Sequence, residues 1–343
     1  MPSDKTIGGA CADNDELDKL PRVLALSGGV GGAKLALGLY RVLNPWDLGI
    51  AVNTGDDFEH FSLHISPDVD TIMYTLSETS NIEQGWGRDN ETWSFLEQIG
   101  RLGGDTWFRL GDGDLAVHMR RTELLKAGNG LGEATANLFR QMGISAHIYP
   151  MSDDAVRTII TTADGRDLPF QHYFVREQCE PEVRNFTYAG ASESDPYSSL
   201  LAALENPSLR AVILCPSNPF VSINPILSVP GIRQALLNCP APVIAVSPIV
   251  GGAAVKGPLA KMLAELGKPV NNHSIVEHYG DFLSGFILDR VDAAEAQELG
   301  CPTLITSTVM QSIEDRETLA LEALGFADQI TKQRLNRVRA GSA

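Results

Sequence analysis

Five short apolar runs, each four to six residues long and each ending in Gly, Ser, Asn, Pro or Thr, set the fold of this chain. They are "RVLALSGG" (22–29), "DLGIAVNTGDD" (47–57), "RAVILCPSNP" (210–219), "PVIAVSPIVGG" (242–252) and "PTLITSTVM" (302–310). Runs that are apolar throughout, rather than alternating, suit strands covered on both faces, as in a parallel sheet. Helical patterns such as "AKLALGLYRVL", "LGEATANLFRQMG" and "GPLAKMLAELG" lie between them. Together they predict an α/β, Rossmann-like, doubly wound and mainly parallel sheet over 21–343. Around Asp164–Gly165, the β-branched stretch "VRTIITTADGRDLPFQHYFVRE" predicts a hairpin within a smaller inserted α+β subdomain near 150–200.

In such sheets ligands bind beyond the carboxyl ends of the strands, so the polar residues closing each run are the ones to weigh. The first is "SGGVGGAK". It fails the G-x-x-x-x-G-K-[ST] phosphate motif, because Leu35 follows Lys34, and it fails G-x-G-x-x-G, because Lys34 stands where the third glycine belongs. A tight turn and an anion-cradling turn both remain open for Gly28 and Gly29.

The second is "NTGDDFEHFSLHISPDVDT". Asp56 and Asp57 close a strand, and Asp68 and Asp70 follow. Four carboxylates near one sheet edge are costly unless a positive charge joins them, and Mg²⁺ prefers oxygen ligands shared with phosphates. For Asp68, capping a helix begun by Pro67 is the competing reading. His60 and His64 have i, i+4 spacing, but the segment between them does not read as a helix, which argues against zinc.

Further on, "RLGDGDLAVHMRR" reads as a turn with Asp112 and Asp114 flanking Gly113, and with Arg109, Arg120 and Arg121 supplying charge; Arg109 reads either as a ligand contact or as a surface residue. It lacks the rest of a calcium loop. "CPSNP" places Ser217, Asn218 and Pro219 after a buried strand, as a rigid turn or as ligand contacts. "SPIVGGAAVKGP" adds a serine, a glycine pair and Lys256.

A formal net charge of −16 argues against a nucleic-acid partner. No run approaches the roughly 18 uninterrupted apolar residues of a membrane span. Residues 1–20 read as a flexible acidic tail without the pattern of a signal peptide. The five cysteines are odd in number and scattered, which fits a reducing cytoplasm and neither disulfides nor a thiolate zinc site.

The blocks "LSGGVGGAKL", "VNTGDD", "SPDVDT", "GWGRDNETW", "LGDGDLAVH", "PMSDD", "PSNPFVSINPIL" and "SPIVGG" stand in the order found in the CofD/FbiA transferases of coenzyme F420 biosynthesis. The resemblance runs from about residue 22 to about 327. It implies transfer of a phosphorylated small acid (2-phospholactate, phosphoenolpyruvate or 3-phosphoglycerate) from its GDP-activated form to the ribityl hydroxyl of the deazaflavin Fo, with GMP leaving and Mg²⁺ required. A guanylyltransferase would make the activated acid, and a homodimer is the family expectation.

Carried over by motif, Asp56 and Asp57 are the catalytic pair, with Asp56 and Asp68 as metal ligands. Asp70, Arg109, Asn53 and Thr54 would contact Fo. Gly28, Gly29, Ser217, Asn218 and Pro219 would line the nucleotide and phosphate site. Gly113 departs from the family's usual "LGDRD", which puts a phosphate contact of that arginine in doubt. The YvcK-like nucleotide-sugar-binding regulators are similar in their opening strand, glycine turn and helix, and form the non-enzymatic alternative.

Overall fold

The computed structural model describes residues 20–81 and 84–341. The tail expected over 1–20 lies, except for Leu20, outside the described residues. Each of the five apolar runs contains a strand. These are β1 (Val23–Ser27) and β2 (Leu48–Val52), then, after further strands taken up below, β9 (Ala211–Leu214), β10 (Val243–Val246) and β14 (Thr303–Thr306). With β5 (His147–Pro150) and β13 (Gly285–Asp289) they form one seven-stranded sheet in the order β14-β13-β10-β9-β1-β2-β5. All neighbouring pairs are parallel.

Both faces of the inner strands β13, β10, β9, β1 and β2 are covered, which is why these strands carry no polar alternation. Val23, Ala25, Ile213 and Ile244 face one core, and Leu24, Leu26, Val212 and Ala245 face the other. Truncating a buried leucine such as Leu24 to alanine would cost about 2–5 kcal/mol.

The first core is closed by α1 (Gly29–Val42), α2 (Pro67–Leu76), α5 (Leu131–Gln141) and the terminal helix α11 (Ile313–Gly341). Between α2 and α5 lie α3 (Ser94–Arg101) and α4 (Asp112–Lys126). The second core is closed by α6 (Ser198–Glu205), α7 (Asn224–Ser228), α8 (Ile232–Leu237), α9 (Leu259–Glu265) and α10 (Asn272–Tyr279). An antiparallel sheet of β6 (Arg157–Thr162), β7 (Asp167–Pro169) and β8 (Val183–Ala189) packs there too, turning at Asp164–Gly165 between β6 and β7. Among the described residues no helix is long and apolar enough to cross a membrane.

The strand order reverses at β1. The chain winds outward through β2 and β5, then returns to place β9 on the other side of β1. Ser27 pairs with Val52, and Leu26 pairs with Leu214. The three strands therefore end level, and the loops after them open the crevice where such sheets bind ligands.

One local expectation agrees with the structure and one needs correction. His60 and His64 lie not on a helix but on a hairpin of β3 (Phe58–His60) and β4 (Leu63–Ile65). The "LGDGD" stretch is not a turn, since α4 begins at Asp112.

Candidate active site

The first turns of α1 and α2 converge at the crevice, and a helix start offers backbone N–H groups that have no acceptor within the helix. Gly28 enters α1 from an extended conformation (φ −156°) and Gly29 takes φ +66°, a region few residues but glycine occupy. The turn leaves no room for a side chain at Gly28. A Cβ there would lie 2.6 Å from Asp68 Oδ2 and 2.7 Å from Ser222 Cβ.

Asp68 sits in the first turn of α2 but does not cap its own helix. Its Oδ1 accepts the Gly29 N–H of α1 at 2.7 Å. Ser66, the N-cap residue, makes no side-chain cap either; its hydroxyl donates to Asp57 Oδ2 at 2.8 Å. Capping therefore does not account for these polar side chains.

Asn53, buried at the end of β2, organises the acidic pair. Its Nδ2 donates to Asp56 Oδ1 at 2.9 Å, to Asp68 Oδ2 at 2.8 Å and to the Val221 carbonyl at 3.1 Å. Its own carbonyl accepts the Gly55 N–H at 2.8 Å. Asp56 and Asp68 thus face each other across one amide, and among the described residues neither has a salt-bridge partner. Burial, with Asp68 as neighbour, raises the Asp56 carboxyl well above the ordinary range. Burial pushes Asp68 up to about 6, against the pull of the Asn53 and Gly29 hydrogen bonds. Two buried carboxylates in this state call for a cation.

Asp57 points elsewhere. Its Oδ2 also meets His64 Nε2 at 2.9 Å, while Oδ1 is buried with no hydrogen-bond partner among the described residues. Thr54 is buried beside it, and its Oγ1 is unpartnered.

From β9, Ser217 Oγ donates to the Gly28 carbonyl at 2.8 Å and accepts the Gly28 N–H at 3.2 Å, locking the two strand-end loops together. Asn218 accepts the Phe220 N–H at 2.9 Å and starts the π-helical turn Pro219–Ile223. That turn presents the Val221 carbonyl and Ser222. The antiparallel sheet braces both loops: Thr158 N–H donates to the Gly55 carbonyl at 2.8 Å and Tyr188 Oη to the Phe220 carbonyl at 2.7 Å.

Gly28, Gly29, Asn53, Asp56, Asp68 and Ser217 therefore meet at one point. Asp70 and Arg109 lie apart from it. Asp70 is 4% exposed, and both its oxygens bond Arg121, a guanidinium with no exposure at all. His118 stands 3.5 Å from Asp70 and 3.2 Å from Asp114. These three acids and bases could cluster round a metal ion, but Arg121 already supplies the countercharge. Arg109 is exposed, with its guanidinium 4.4 Å over the Trp93 ring and 5.8 Å from that of Trp86. Beside Gly113, Arg88 donates to the Gly113 carbonyl at 3.1 Å.

The sequence marks Arg121 only as a source of charge, without its burial or its partner, and gives no sign of Ser222 or the Val221 carbonyl. Helical spacing carried a signal for Arg121: Val117, His118, Arg121 and Thr122 form the buried face of α4, and Arg120 lies off it.

Comparison with known proteins follows the same outline. The family model described as 2-phospho-L-lactate transferase CofD matches residues 23–308. A 2-phospho-L-lactate transferase of Methanocaldococcus jannaschii is 38% identical over 311 residues, covering 90% of this chain and 99% of that protein. A phosphoenolpyruvate transferase of Kitasatospora aureofaciens is 38% identical over 320 residues, covering 90% and 98%. The crystal structure of a UPF0052 family protein from Bacillus halodurans superposes with a TM-score of 0.60 at 14% identity, covering 89% of this chain and 99% of that one. At that identity the likeness concerns the fold alone.

Proposed function

Since this chain belongs to the 2-phospho-L-lactate transferase CofD family, we propose that it transfers a phosphorylated small acid from its GDP-activated form to the ribityl hydroxyl of Fo. In this reading the hydroxyl oxygen forms a bond to the phosphorus that bears the acid. The bond from that phosphorus to the bridging oxygen breaks, and GMP leaves with the electron pair. Such a transfer asks for alignment and charge neutralisation more than for a covalent nucleophile.

The observation that carries the reading is the uncompensated pair Asp56 and Asp68, fixed by Asn53 and Gly29 at the point where the strand order reverses. The donor set fits Mg²⁺, because it offers hard carboxylate oxygens and its own charge is unbalanced. Bound there, the ion would neutralise diphosphate charge and make GMP a better leaving group. Asn53 and Gly29 hold the two carboxylates in place. Asp57, with one oxygen tied to Ser66 and His64 and the other left over, is the group assigned to take the hydroxyl proton.

The glycine turn and the Ser217–Asn218 loop line the same crevice and are assigned to the nucleotide phosphates. A regulatory, nucleotide-sugar-binding role has only fold likeness behind it, and one fold serves many chemistries. The test supplies the protein with Fo, GTP, Mg²⁺, a guanylyltransferase and each acid in turn, then weighs the product. A product with the mass of Fo plus the phosphorylated acid less one water is expected with at least one acid; no such product with any acid overturns the reading.

A further inference from the structure

We propose that a cleft lined by Lys34, Lys256 and Arg316 holds the carboxylate of the transferred acid. The inference rests on the transfer reading above and assigns one part of its substrate. The chain has 27 basic and 43 acidic side chains, so three cations with no acid between them are unexpected. The cleft is otherwise lined by neutral residues, among them Val30, Thr71 and Gln311, and no acidic side chain lines it among the described residues.

None of the three cations has a salt-bridge partner among the described residues. Lys34 Nζ donates to the Met310 carbonyl at 2.8 Å, which leaves its charge unmatched. Arg316 Nε is buried with no hydrogen-bond partner. Arg316 is held there by the packing of α11 on α1, where Gly38 meets the Arg316 backbone so closely that a Cβ could not fit. Burial and the nearby charges of Lys256 and Arg316 lower the Lys34 ammonium, and burial lowers Arg316 against the weaker pull of Glu78, which is itself paired with Arg41. Three cations converging on one cleft, two of them part-buried and one exposed at its rim, make a site suited to an anion.

The location selects which anion. Val30 directly follows Gly29, and Thr71 lies about one turn beyond Asp68 on α2, so the cleft opens beside the carboxylate pair. In 2-phospholactate and phosphoenolpyruvate the carboxylate is attached to the carbon that bears the phosphate oxygen. A phosphorus held at Asp56 and Asp68 therefore leaves that carboxylate within reach of the cleft. A guanidinium fork flanked by ammonium groups matches a planar carboxylate.

The test compares three ligands by fluorescence titration in Mg²⁺: Fo, its ribityl phosphate, and its phospholactyl ester. Only the last carries the carboxylate. Arg316→Gln and the exposed-site variant Lys256→Met should weaken binding of the phospholactyl ester about tenfold, with Fo and its phosphate little changed. Equal loss for the phosphate and the ester, or no loss for either variant, overturns the carboxylate assignment while leaving the transfer reading intact. Wild-type protein that binds neither Fo nor the ester overturns both.

Discussion

Replacing Asp68 with Asn removes a charge while nearly keeping the shape, and its effect on stability should change sign with pH and with metal. In the folded chain burial lifts Asp68 from its ordinary 3.8 to about 6. That difference corresponds to about 3 kcal/mol between the charged and neutral forms. Because the folded state holds this proton more tightly than the unfolded chain, the group contributes its full stability below pH 3.8. That contribution is lost as pH rises through about 6. Asn cannot lose it, but its amide would face the Asn53 amide donor that now meets Oδ2, a mismatch worth about 1 kcal/mol. In chelator at pH 8 the variant should therefore be about 1–2 kcal/mol more stable than wild type, and at pH 4 about 1 kcal/mol less stable. Adding Mg²⁺ should reverse the order at pH 8, since an ion that binds only the folded site stabilises by RT ln(1 + [L]/Kd), and the variant has lost a ligand. Urea unfolding followed by tryptophan fluorescence at pH 4, 6 and 8, with chelator or Mg²⁺, reads all of this. The reasoning fails if wild-type stability in chelator does not fall relative to the variant as pH rises, or if both gain equally from Mg²⁺.

Asp56→Ala should keep its melting temperature and lose turnover by about 100-fold or more; near-normal rates at saturating Mg²⁺ would remove Asp56 from the metal site. Arg121→Met strands the buried Asp70 carboxylate and should cost about 3–5 kcal/mol in denaturant unfolding; a loss below about 1 kcal/mol would show that Asp70 does not depend on Arg121. Gly28→Ala is allowed by its backbone but pushes a methyl into Asp68 and Ser222, so the Mg²⁺ needed for half-maximal rate should rise about tenfold. Gly29→Ala meets no atom nearer than 4.0 Å but has φ +66°, so it should cost about 1–2 kcal/mol of stability with little change in metal response. The opposite ranking of the two in metal response would contradict the geometry.

Five of the seven strands of the parallel sheet were legible because they are short, largely apolar and closed by polar residues; β5 and β13 were not read. That pattern follows from burial on both faces and needs no partner to be read. The start of α4 was not legible, because what caps it is distant. Glu91 accepts the Gly113 and Asp114 N–H groups at 2.7 and 2.8 Å, and Asp112 in return accepts the Ser94 and Phe95 N–H groups at the start of α3. Each helix is capped by a residue from outside its own first turn. Local chemistry alone, Asp–Gly–Asp, reads as a turn.

The acidic residues show the same division between what spacing gives and what packing adds. Asp68 and Asp70 stand two residues apart on α2, and in a helix that separation turns side chains about 200° from each other. They cannot serve one site. Which of them meets a countercharge was not readable from "SPDVDT", because that depends on α4 delivering Arg121 to one side only. With Arg121 on Asp70, the protein settles the cost of one carboxylate internally. On the other side, Asp56 and Asp68 receive only dipoles: one amide from Asn53 and one backbone N–H from Gly29. Partial charges orient carboxylates but do not cancel them. The imbalance therefore falls at the strand ends, where a divalent metal ion shared with a diphosphate would supply the missing positive charge, and it makes the pair at Asp56 and Asp68, rather than the cluster at Asp70, the place where ligand binding should stabilise the fold.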